Sequence, residues 1–284
     1  MRWVSAKEML EDATRNQYAI GAFSAHTAEM VKGILEVAHE ERSPVIIQIG
    51  QRAIRNSGFD ELIQNVHRNL VGIRLPVTIH LDHGKSFEQA IQAIQAGCTS
   101  VMYDGSHLPL EENIANTKEV VRAAKSVGIA VEAELGKIAG VEDDISVDER
   151  DAYYTEPAEA LRFYAETNVD ALAVAIGSAH GLYRTEPKLD IPRLAEIRKL
   201  LPIPIVLHGG SGIPDDQIRD AIQNGIGKIN VDTELRRAYS DGIREAVERF
   251  GEAYDVYLYG RSGVEKMKSI VRNKIRLFGS AGRA

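Results

Sequence analysis

The sequence has little of several things, and each scarcity excludes a class of protein. Cys98 is the only cysteine among 284 residues, so no disulfide can form within the chain and a reducing compartment is expected. No run approaches the roughly 18 consecutive apolar residues that span a bilayer, and the N-terminal MRWVSAKEML lacks the apolar core of a signal peptide. A formal net charge of -7 does not favour nucleic acid as a partner. We therefore expect a cytoplasmic protein that binds neither membrane nor nucleic acid.

Short apolar runs rich in β-branched residues recur along the chain, and each is followed by a longer amphipathic stretch. The runs are YAIGAF, PVIIQI, PVTIHLD, TSVMYDG, IAVEAELG, DALAVAIG, IPIVLHGG and GKINVDT. Nearly continuous apolar strands indicate burial on both faces, as in a parallel sheet. Eight strands that alternate with helices predict a (β/α)8 TIM barrel of the α/β class. We predict one such domain over residues 1–284, with an extra C-terminal helix after Tyr259.

A doubly wound open sheet is the competing arrangement. A dinucleotide-binding sheet of that kind expects the pattern G-x-G-x-x-G after its first strand, and AIGAFSAHTAEM does not contain it. The longest stretch without a clear periodic pattern covers residues 136–156. A loop of that length in a compact barrel is usually functional.

Polar, titratable side chains stand where several of the predicted strands end. In a barrel, the carboxyl ends of the strands build the active site. The third strand ends in Asp82 and His83, while His180 and His208 follow the sixth and seventh strands. Catalytic zinc commonly has three protein ligands and an open fourth position, which makes the three histidines candidate ligands. The alternative is that each histidine is a hydrogen-bonded residue of the rim.

A glycine-rich turn, HGGSG, follows the seventh strand and precedes a helix. Backbone N–H groups in such a turn, together with a helix N-terminus, favour a bound anion. The sequence NVDT at the end of the eighth strand adds side-chain donors at the same rim, where barrels commonly bind phosphate. An ordinary glycine-rich turn remains the alternative to a phosphate site.

A metal beside a phosphate site, with a carboxylate next to a ligand, indicates carbonyl chemistry. The metal would polarise a ketone oxygen, and Asp82 would transfer a proton at the bond that breaks. A Schiff-base mechanism would need a lysine in an apolar pocket instead. The sixth strand, ALAVAIG, has no lysine, and Lys228 lies at the base of the eighth strand, away from the rim.

Several motifs, in order, resemble those of the class II, metal-dependent ketose-bisphosphate aldolases. They are HLDHG, DGSH, VEAELG, VEDD, AIGSAHG, LHGGSG and KINVDTE, and the resemblance covers nearly the whole chain. It implies a (β/α)8 barrel that reversibly cleaves a phosphorylated sugar resembling fructose- or tagatose-1,6-bisphosphate. The products would be dihydroxyacetone phosphate and an aldehyde. It also implies one catalytic Zn²⁺ per chain, a monovalent cation (Na⁺ or K⁺) near the phosphate cradle, and a homodimer or homotetramer.

The resemblance also assigns roles to particular residues of this sequence. Asp82 resembles the proton donor and acceptor at the aldehyde oxygen, and Glu142 resembles the glutamate that takes a proton from dihydroxyacetone phosphate. The implied zinc ligands are His83, His180 and His208; Asp104 and Glu134 match positions that hold the metal in an alternative, buried pose. The implied phosphate cradle consists of Gly181, Gly209, Gly210, Ser211, Asn230, Val231, Asp232 and Thr233. The alternatives are that Asp104 and Glu134 orient the histidines, and that Glu142 belongs to a solvated acidic loop.

The sequence departs from the family pattern at positions that, by the resemblance, contact the substrate or its phosphates. Ser24 stands in place of an asparagine, Gly50 in place of a serine, and Val264 in place of an arginine that binds the distal phosphate. Arg261 is a candidate replacement for that arginine. In the long loop, Ala139 replaces a hinge glycine. These departures open the alternative of a modified ketose 1-phosphate of the 6-deoxy, 6-sulfo or keto-deoxy acid type.

Two other functions compete with an aldolase. A metal-dependent hydrolase on the same barrel would want H-x-H after the first strand, where FSAHT offers a single histidine. A non-catalytic partner subunit of an aldolase complex would keep the barrel without the metal. The retention of Asp82 and of all three histidines argues against such a subunit.

Overall fold

The structure is a computed structural model that describes residues 5–142, 145–148, 152–181, 183 and 186–284. Its strands are β1 (Ile20–Ser24), β2 (Val45–Ile49), β3 (Val77–Gly84), β4 (Ser100–Tyr103), β5 (Ala130–Leu135), β6 (Ala139–Glu142), β7 (Ile145–Val147), β8 (Ala171–Val174), β9 (Ala179–His180), β10 (Ile205–Leu207) and β11 (Ile226–Val231). Its α-helices are α1 (Ala6–Arg15), α2 (Ala28–Glu40), α3 (Gln51–Asn69), α4 (Phe87–Ala96), α5 (Leu110–Ser126), α6 (Pro157–Thr167), α7 (Ile191–Leu200), α8 (Asp215–Gln223), α9 (Thr233–Phe250) and α10 (Val256–Leu277).

Within these residues, eight parallel strands close into a barrel in the order β1-β11-β10-β8-β5-β4-β3-β2. Helices alternate with the barrel strands along the chain, so the prediction of a (β/α)8 barrel is confirmed. The extra C-terminal helix is also present as α10, which begins at Val256, slightly earlier than predicted. No described helix has both the length and the apolar character needed to cross a bilayer.

Strand β3 shows how the sequence pattern builds the barrel. Because side chains alternate along a strand, Val77, Ile79 and Leu81 face the helices and join the main apolar core. On the other face, Thr78 contacts Met9 of α1 near the base of the barrel. Asp82, nearer the carboxyl end of the same face, bonds to a side chain of the neighbouring strand β2. The strand is buried on both faces, and its polar end lies at the carboxyl end of the barrel.

The amino-terminal end of the barrel is closed by α1, which the strand pattern did not predict. Met9, Leu10 and Ala13 of this helix form a second apolar cluster with strand residues that point inward. Those strand residues include Ile20, Ile46, Ala171 and Val206. The lower half of the interior is therefore a packed apolar plug, as is usual for a filled barrel.

The stretch expected to be one long irregular loop contains regular structure. Strands β6 and β7 form an antiparallel hairpin, and β6 pairs in parallel with β9. The prediction of an irregular segment is wrong over these residues, because strands of three or four residues leave almost no periodic signal. The resulting small sheet places the hairpin beside the strand that carries His180.

Candidate active site

Three buried histidine rings meet at the carboxyl end of the barrel. The ring centroids lie 4.8 Å apart for His83 and His208, 5.3 Å for His83 and His180, and 5.9 Å for His180 and His208. One ring nitrogen from each residue lies within 4.8 Å of the other two. Segments distant in the sequence thus converge on one point, and the three rings are close enough to share an ion.

The three histidines reach this point from different elements. His83 lies near the end of β3, with a positive φ of 48° that a residue with a Cβ rarely adopts. His208 directly follows β10. His180 follows the sixth barrel strand, β8, and lies on the short strand β9, which the sequence pattern did not predict. The chain leaves the barrel after β8 and pairs with the hairpin before it presents the ring.

Carboxylates fix which nitrogen of two histidines faces the centre. His83 Nδ1 lies 2.8 Å from Asp104 Oδ2, and His208 Nε2 lies 3.0 Å from Glu132 Oε1. A ring that donates one N–H to a carboxylate keeps its other nitrogen for a metal. His208 Nδ1 is buried and makes no hydrogen bond within the described residues. Burial lowers the pKa of His208 to about 4, so the ring is neutral near pH 7 and can act as a ligand.

Asp104 and Glu134 lie where either of their proposed roles is possible. Together with His83 they form a second buried group whose ligand atoms lie within 4.8 Å of one another. Burial alone would raise the pKa of Asp104, but hydrogen bonds from His83 and Ser106 hold it well below its usual range. Glu134 Oε2 lies 3.2 Å from His208 Nδ1. The donor set of imidazoles and carboxylates fits a divalent zinc-like ion.

Asp82 is buried and held by two amide side chains. Its Oδ1 accepts hydrogen bonds from Gln48 Nε2 at 2.7 Å and from Asn230 Nδ2 at 3.3 Å. Gln48 comes from β2 and Asn230 from β11, so the carboxylate is oriented from two neighbouring strands. The carboxylate therefore links the histidine-bearing strand to the predicted phosphate cradle.

The predicted cradle residues come together at the ends of β9, β10 and β11. The Gly210 N–H donates to the Asn230 carbonyl at 2.9 Å, and Ser211 Oγ accepts from the Glu234 N–H at 3.3 Å. Gly181 and Gly209 have φ values of 89° and 66°, which favour glycine. A side chain at Gly209 would collide with the Ala179 carbonyl, so the β10 turn lies directly against the His180 strand.

Three residues of the NVDT segment are placed differently at the predicted phosphate cradle. The side chain of Val231 is buried in the core, so only its backbone can face a ligand. Asp232 accepts hydrogen bonds from His26 Nε2 at 2.7 Å and from Arg236 at 2.8 Å, which balances its charge. Thr233 begins α9, whose N-terminus adds a partial positive charge at this rim.

Glu142 is the predicted site residue about which the structure says least. Its backbone ends β6 and pairs with Ile145 of β7. Its side chain lies outside the described residues, so its assignment as a base stays a prediction. The hairpin that carries it is nevertheless paired to the strand of His180.

Several residues of the site were missed by sequence reasoning. Gln48 stands in the middle of an apolar run, which is the one signal that could have revealed it. Lys274 of α10 is buried, with Nζ 3.0 Å from Glu234 and 3.5 Å from the Gly210 carbonyl. Glu132 and Lys228 form an ion pair of 2.7 Å beneath His208. Lys228 therefore lies inside the barrel below the histidines, with its ammonium group bound to a carboxylate.

Comparison with known proteins gives a consistent result. A family model described as "Fructose-bisphosphate aldolase class-II" matches residues 4–283. A sulfofructosephosphate aldolase from Alkalicoccus urumqiensis is 46% identical over 284 residues, which is 100% of this chain and 99% of that protein. The structure of the YdjI aldolase from Escherichia coli K12 is 37% identical, with a TM-score of 0.88 and 100% of both chains covered.

A further solved structure supports the fold alone. Fructose-bisphosphate aldolase (Fba) from Campylobacter jejuni is 23% identical, with a TM-score of 0.84, and 99% of this chain and 97% of that chain are covered. The barrel and the matches together define an enzyme of the lyase class, an aldolase. The chain belongs to the class-II fructose-bisphosphate aldolase family.

Proposed function

We propose that this aldolase reversibly cleaves a ketose (bis)phosphate, with one Zn²⁺ per chain, into dihydroxyacetone phosphate and an aldehyde. The convergence of His83, His180 and His208 supports the proposal, because three imidazoles whose ligand atoms lie within 4.8 Å of one another match the ligand set of a catalytic zinc site. When bound, the ion supplies Lewis-acid polarisation of the ketone oxygen. Asp104 and Glu134 would orient the histidines or hold the ion in a second, deeper pose.

Asp82 would move the proton on the aldehyde side of the scissile bond. In the cleavage direction its carboxylate accepts the proton of the hydroxyl group as the carbon–carbon bond breaks and the aldehyde forms. The electron pair of that bond stays with the carbon of dihydroxyacetone phosphate, to which Glu142 would return a proton. The amides of Gln48 and Asn230 support this role because they orient the carboxylate of Asp82.

The cradle would bind the phosphate of the dihydroxyacetone phosphate half. Gly181, Gly209, Gly210 and Ser211 would offer backbone and hydroxyl donors from one side, and Asn230, Val231, Asp232 and Thr233 from the other. The amino-terminal end of α9 would add its dipole. A monovalent cation, Na⁺ or K⁺, would bind near the carbonyl groups of the same turns.

We also propose a homodimer or homotetramer in the cytoplasm. Tyr254, Val256 and Tyr257 support self-association, because they are largely exposed at the tip formed by the end of α9 and the start of α10. Exposed apolar groups that cluster in this way often mark an interface between subunits. Light scattering of the purified protein measures the subunit number.

Metal analysis combined with a product assay tests the proposed reaction. We expect one tightly bound divalent ion per chain, release of dihydroxyacetone phosphate from a ketose bisphosphate, and loss of activity on chelation. A fully active chelated enzyme would refute the metal mechanism. Metal binding with phosphate or ester hydrolysis would favour a hydrolase, and a metal-free inactive chain would favour a partner subunit.

A modified ketose 1-phosphate with a terminal sulfonate is the second candidate substrate. A relative named sulfofructosephosphate aldolase is 46% identical to this chain. Gly50 has no side chain to hold a distal phosphate, and Val264 packs against Gly33 of α2. Residues at the start of α2, in α3 and in α9 instead line a cleft of about 410 Å³, which includes His26, Arg52 and Arg236.

Condensation assays distinguish the two candidates. Dihydroxyacetone phosphate would be offered together with aldehydes that end in phosphate, in sulfonate or in an uncharged group. A preference for the sulfonate supports the second candidate, and Arg52→Met should reduce the rate with acidic aldehydes more than with the uncharged one. Arg219→Met is the matched control, because Arg219 lies on α8, outside that cleft.

A further inference from the structure

A continuous chain of buried polar groups runs through the barrel interior beneath His208. Glu132 Oε1 lies 3.0 Å from His208 Nε2, and Glu132 Oε2 lies 2.7 Å from Lys228 Nζ. The same Nζ lies 3.3 Å from His80 Nε2. His80 Nδ1 lies 2.9 Å from Ser100 Oγ, which is 3.4 Å from the Ala130 carbonyl. These groups come from β3, β4, β5, β10 and β11, so the chain crosses the whole interior.

The direction of each hydrogen bond follows from the donors that the groups possess. The Lys228 ammonium can only donate, so His80 Nε2 and Glu132 Oε2 both accept from it. His80 must then carry its proton on Nδ1 and donate to Ser100. Burial, with the nearby Lys228 cation, lowers the pKa of His80 well below its usual value, in agreement with this neutral form. The second oxygen of Glu132 accepts from His208, which leaves Nδ1 of that ring facing the metal site.

A buried ion pair of this kind needs an explanation other than stability. Lys228 is 1% exposed and Glu132 2% exposed. Replacing such a pair with apolar residues of similar volume is often neutral or stabilising, because burying both charges is costly. The apolar plug formed with α1, by contrast, fills the lower half of the same barrel with apolar side chains.

We propose that Lys228 is a positioning residue for the metal centre, which acts on His208 through the carboxylate of Glu132. Its ammonium group holds Glu132 in the one orientation that accepts from His208 Nε2. Without that group, the buried carboxylate has lost its counter-charge and one of its two hydrogen bonds. The His208 ring is then free to turn its Nδ1 away from the other two histidines. This inference rests on the proposed role of His208 as a ligand.

The test measures metal affinity directly, by competition with a chelator, and compares the absorption spectra of the cobalt(II)-loaded proteins. Lys228→Met should weaken metal binding about 10- to 100-fold, the usual effect of losing a group that orients a ligand. Its cobalt spectrum should also change. Lys268→Met is the matched control, because Lys268 is also buried and pairs with a glutamate, Glu36, at 2.9 Å on the outer helices. That variant should lose stability and keep both metal affinity and spectrum.

A double-mutant cycle tests whether Lys228 acts through Glu132. Glu132→Gln should weaken metal binding to a similar extent, because one amide cannot accept from both neighbours. Adding Lys228→Met to Glu132→Gln should cause little further loss, whereas independent effects would multiply. If Lys228→Met does not fold, Lys228→Gln replaces it in the cycle, because a neutral amide still removes the counter-charge of Glu132 and should still weaken metal binding.

The outcomes separate this inference from the proposed function. A wild-type protein that binds no divalent metal would refute the zinc-dependent function, and this inference with it. A wild-type protein that binds metal, with Lys228 variants that bind it equally well, would refute only the positioning role. Multiplying losses in the double variant would refute the path through Glu132.

Discussion

The two halves of the barrel interior are built from the same strands and have opposite chemistry. At the amino-terminal end, Met9 and Leu10 of α1 pack against Ile20, Ile46 and Val206, and the space is filled by apolar atoms. At the carboxyl end, imidazoles, carboxylates and amides take the same inward positions. Along β3, the change occurs within five residues, from Thr78 through His80 to Asp82.

This difference indicates which residues mainly stabilise the fold and which mainly support metal binding and catalysis. An apolar plug contributes burial and close packing, so changes there alter the free energy of unfolding. Polar groups in the upper half are expensive to bury unless each has a partner. Their mutual hydrogen bonds, such as those of Asp82 with Gln48 and Asn230, fix side-chain orientations. Changes in the upper half should therefore alter metal binding and turnover more than stability.

The largest loss of metal and activity is expected from a substitution at the carboxyl end of the barrel interior. His208→Ala removes one of three imidazoles from a site that is fully buried at this residue. We expect loss of the bound ion and of measurable activity, because two remaining histidines leave the coordination incomplete. Elemental analysis of the purified variant measures the ion. Full metal content in His208→Ala would show that the ligand assignment is wrong.

The second-largest effect is expected at Asp82, where a substitution should reduce turnover without reducing metal content. Asp82→Ala removes the carboxylate and leaves all three histidines in place. Turnover should fall about a hundredfold or more, the range for a general acid–base group, while the metal content stays at the wild-type value. Steady-state rates and elemental analysis of one preparation check both parts. Unchanged turnover would remove Asp82 from the mechanism.

A substitution in the lower half of the interior should reduce stability without changing metal content or turnover. Leu10→Ala opens a cavity in the plug and should reduce the free energy of unfolding by about 2–5 kcal/mol. Metal content and turnover at a temperature where the variant is folded should match the wild type. Denaturant titration measures the first quantity and the product assay the second. A large loss of metal from this variant would contradict the separation of the two halves.

The smallest effect concerns the one cysteine, which precedes β4 at the lower end of the barrel. Burial raises the pKa of the Cys98 thiol to about 12. The reactive thiolate is therefore scarce at pH 8 in the folded protein, and its fraction should rise only as the pH approaches that value. A thiol reagent should label the native protein very slowly and the unfolded protein at once. Rapid labelling of native protein would contradict the burial of this residue.

The sequence carried most of the information about the barrel. Apolar runs such as PVTIHLD and IPIVLHGG coincide with β3 and β10, because strands buried on both faces are recognisable without tertiary context. The convergence of His83, His180 and His208 also followed, since the carboxyl ends of parallel strands meet at one end of a barrel. What the sequence could not reveal depends on contacts between distant segments.

Three features illustrate that limit. The short pairing of β6 with β9 has no periodic signal, so the strand that carries His180 was not predicted. Lys228 looked remote from the chemistry because its Cα lies low on β11, yet its long side chain reaches Glu132. The partners of Asp82, Gln48 and Asn230, stand on two other strands and become visible only when the barrel is closed.

The pairing of Gly140 with His180 joins the hairpin of Glu142 to the strand of a histidine of the metal site. The backbones touch so closely that a side chain at Gly140 would collide with the His180 carbonyl. A sugar that draws the hairpin inward would therefore also pull on that histidine, and such coupling between two ligands is reciprocal. In the proposed enzyme, occupancy of the metal site would therefore change the affinity for the sugar, and the sugar would change the affinity for the metal by the same factor.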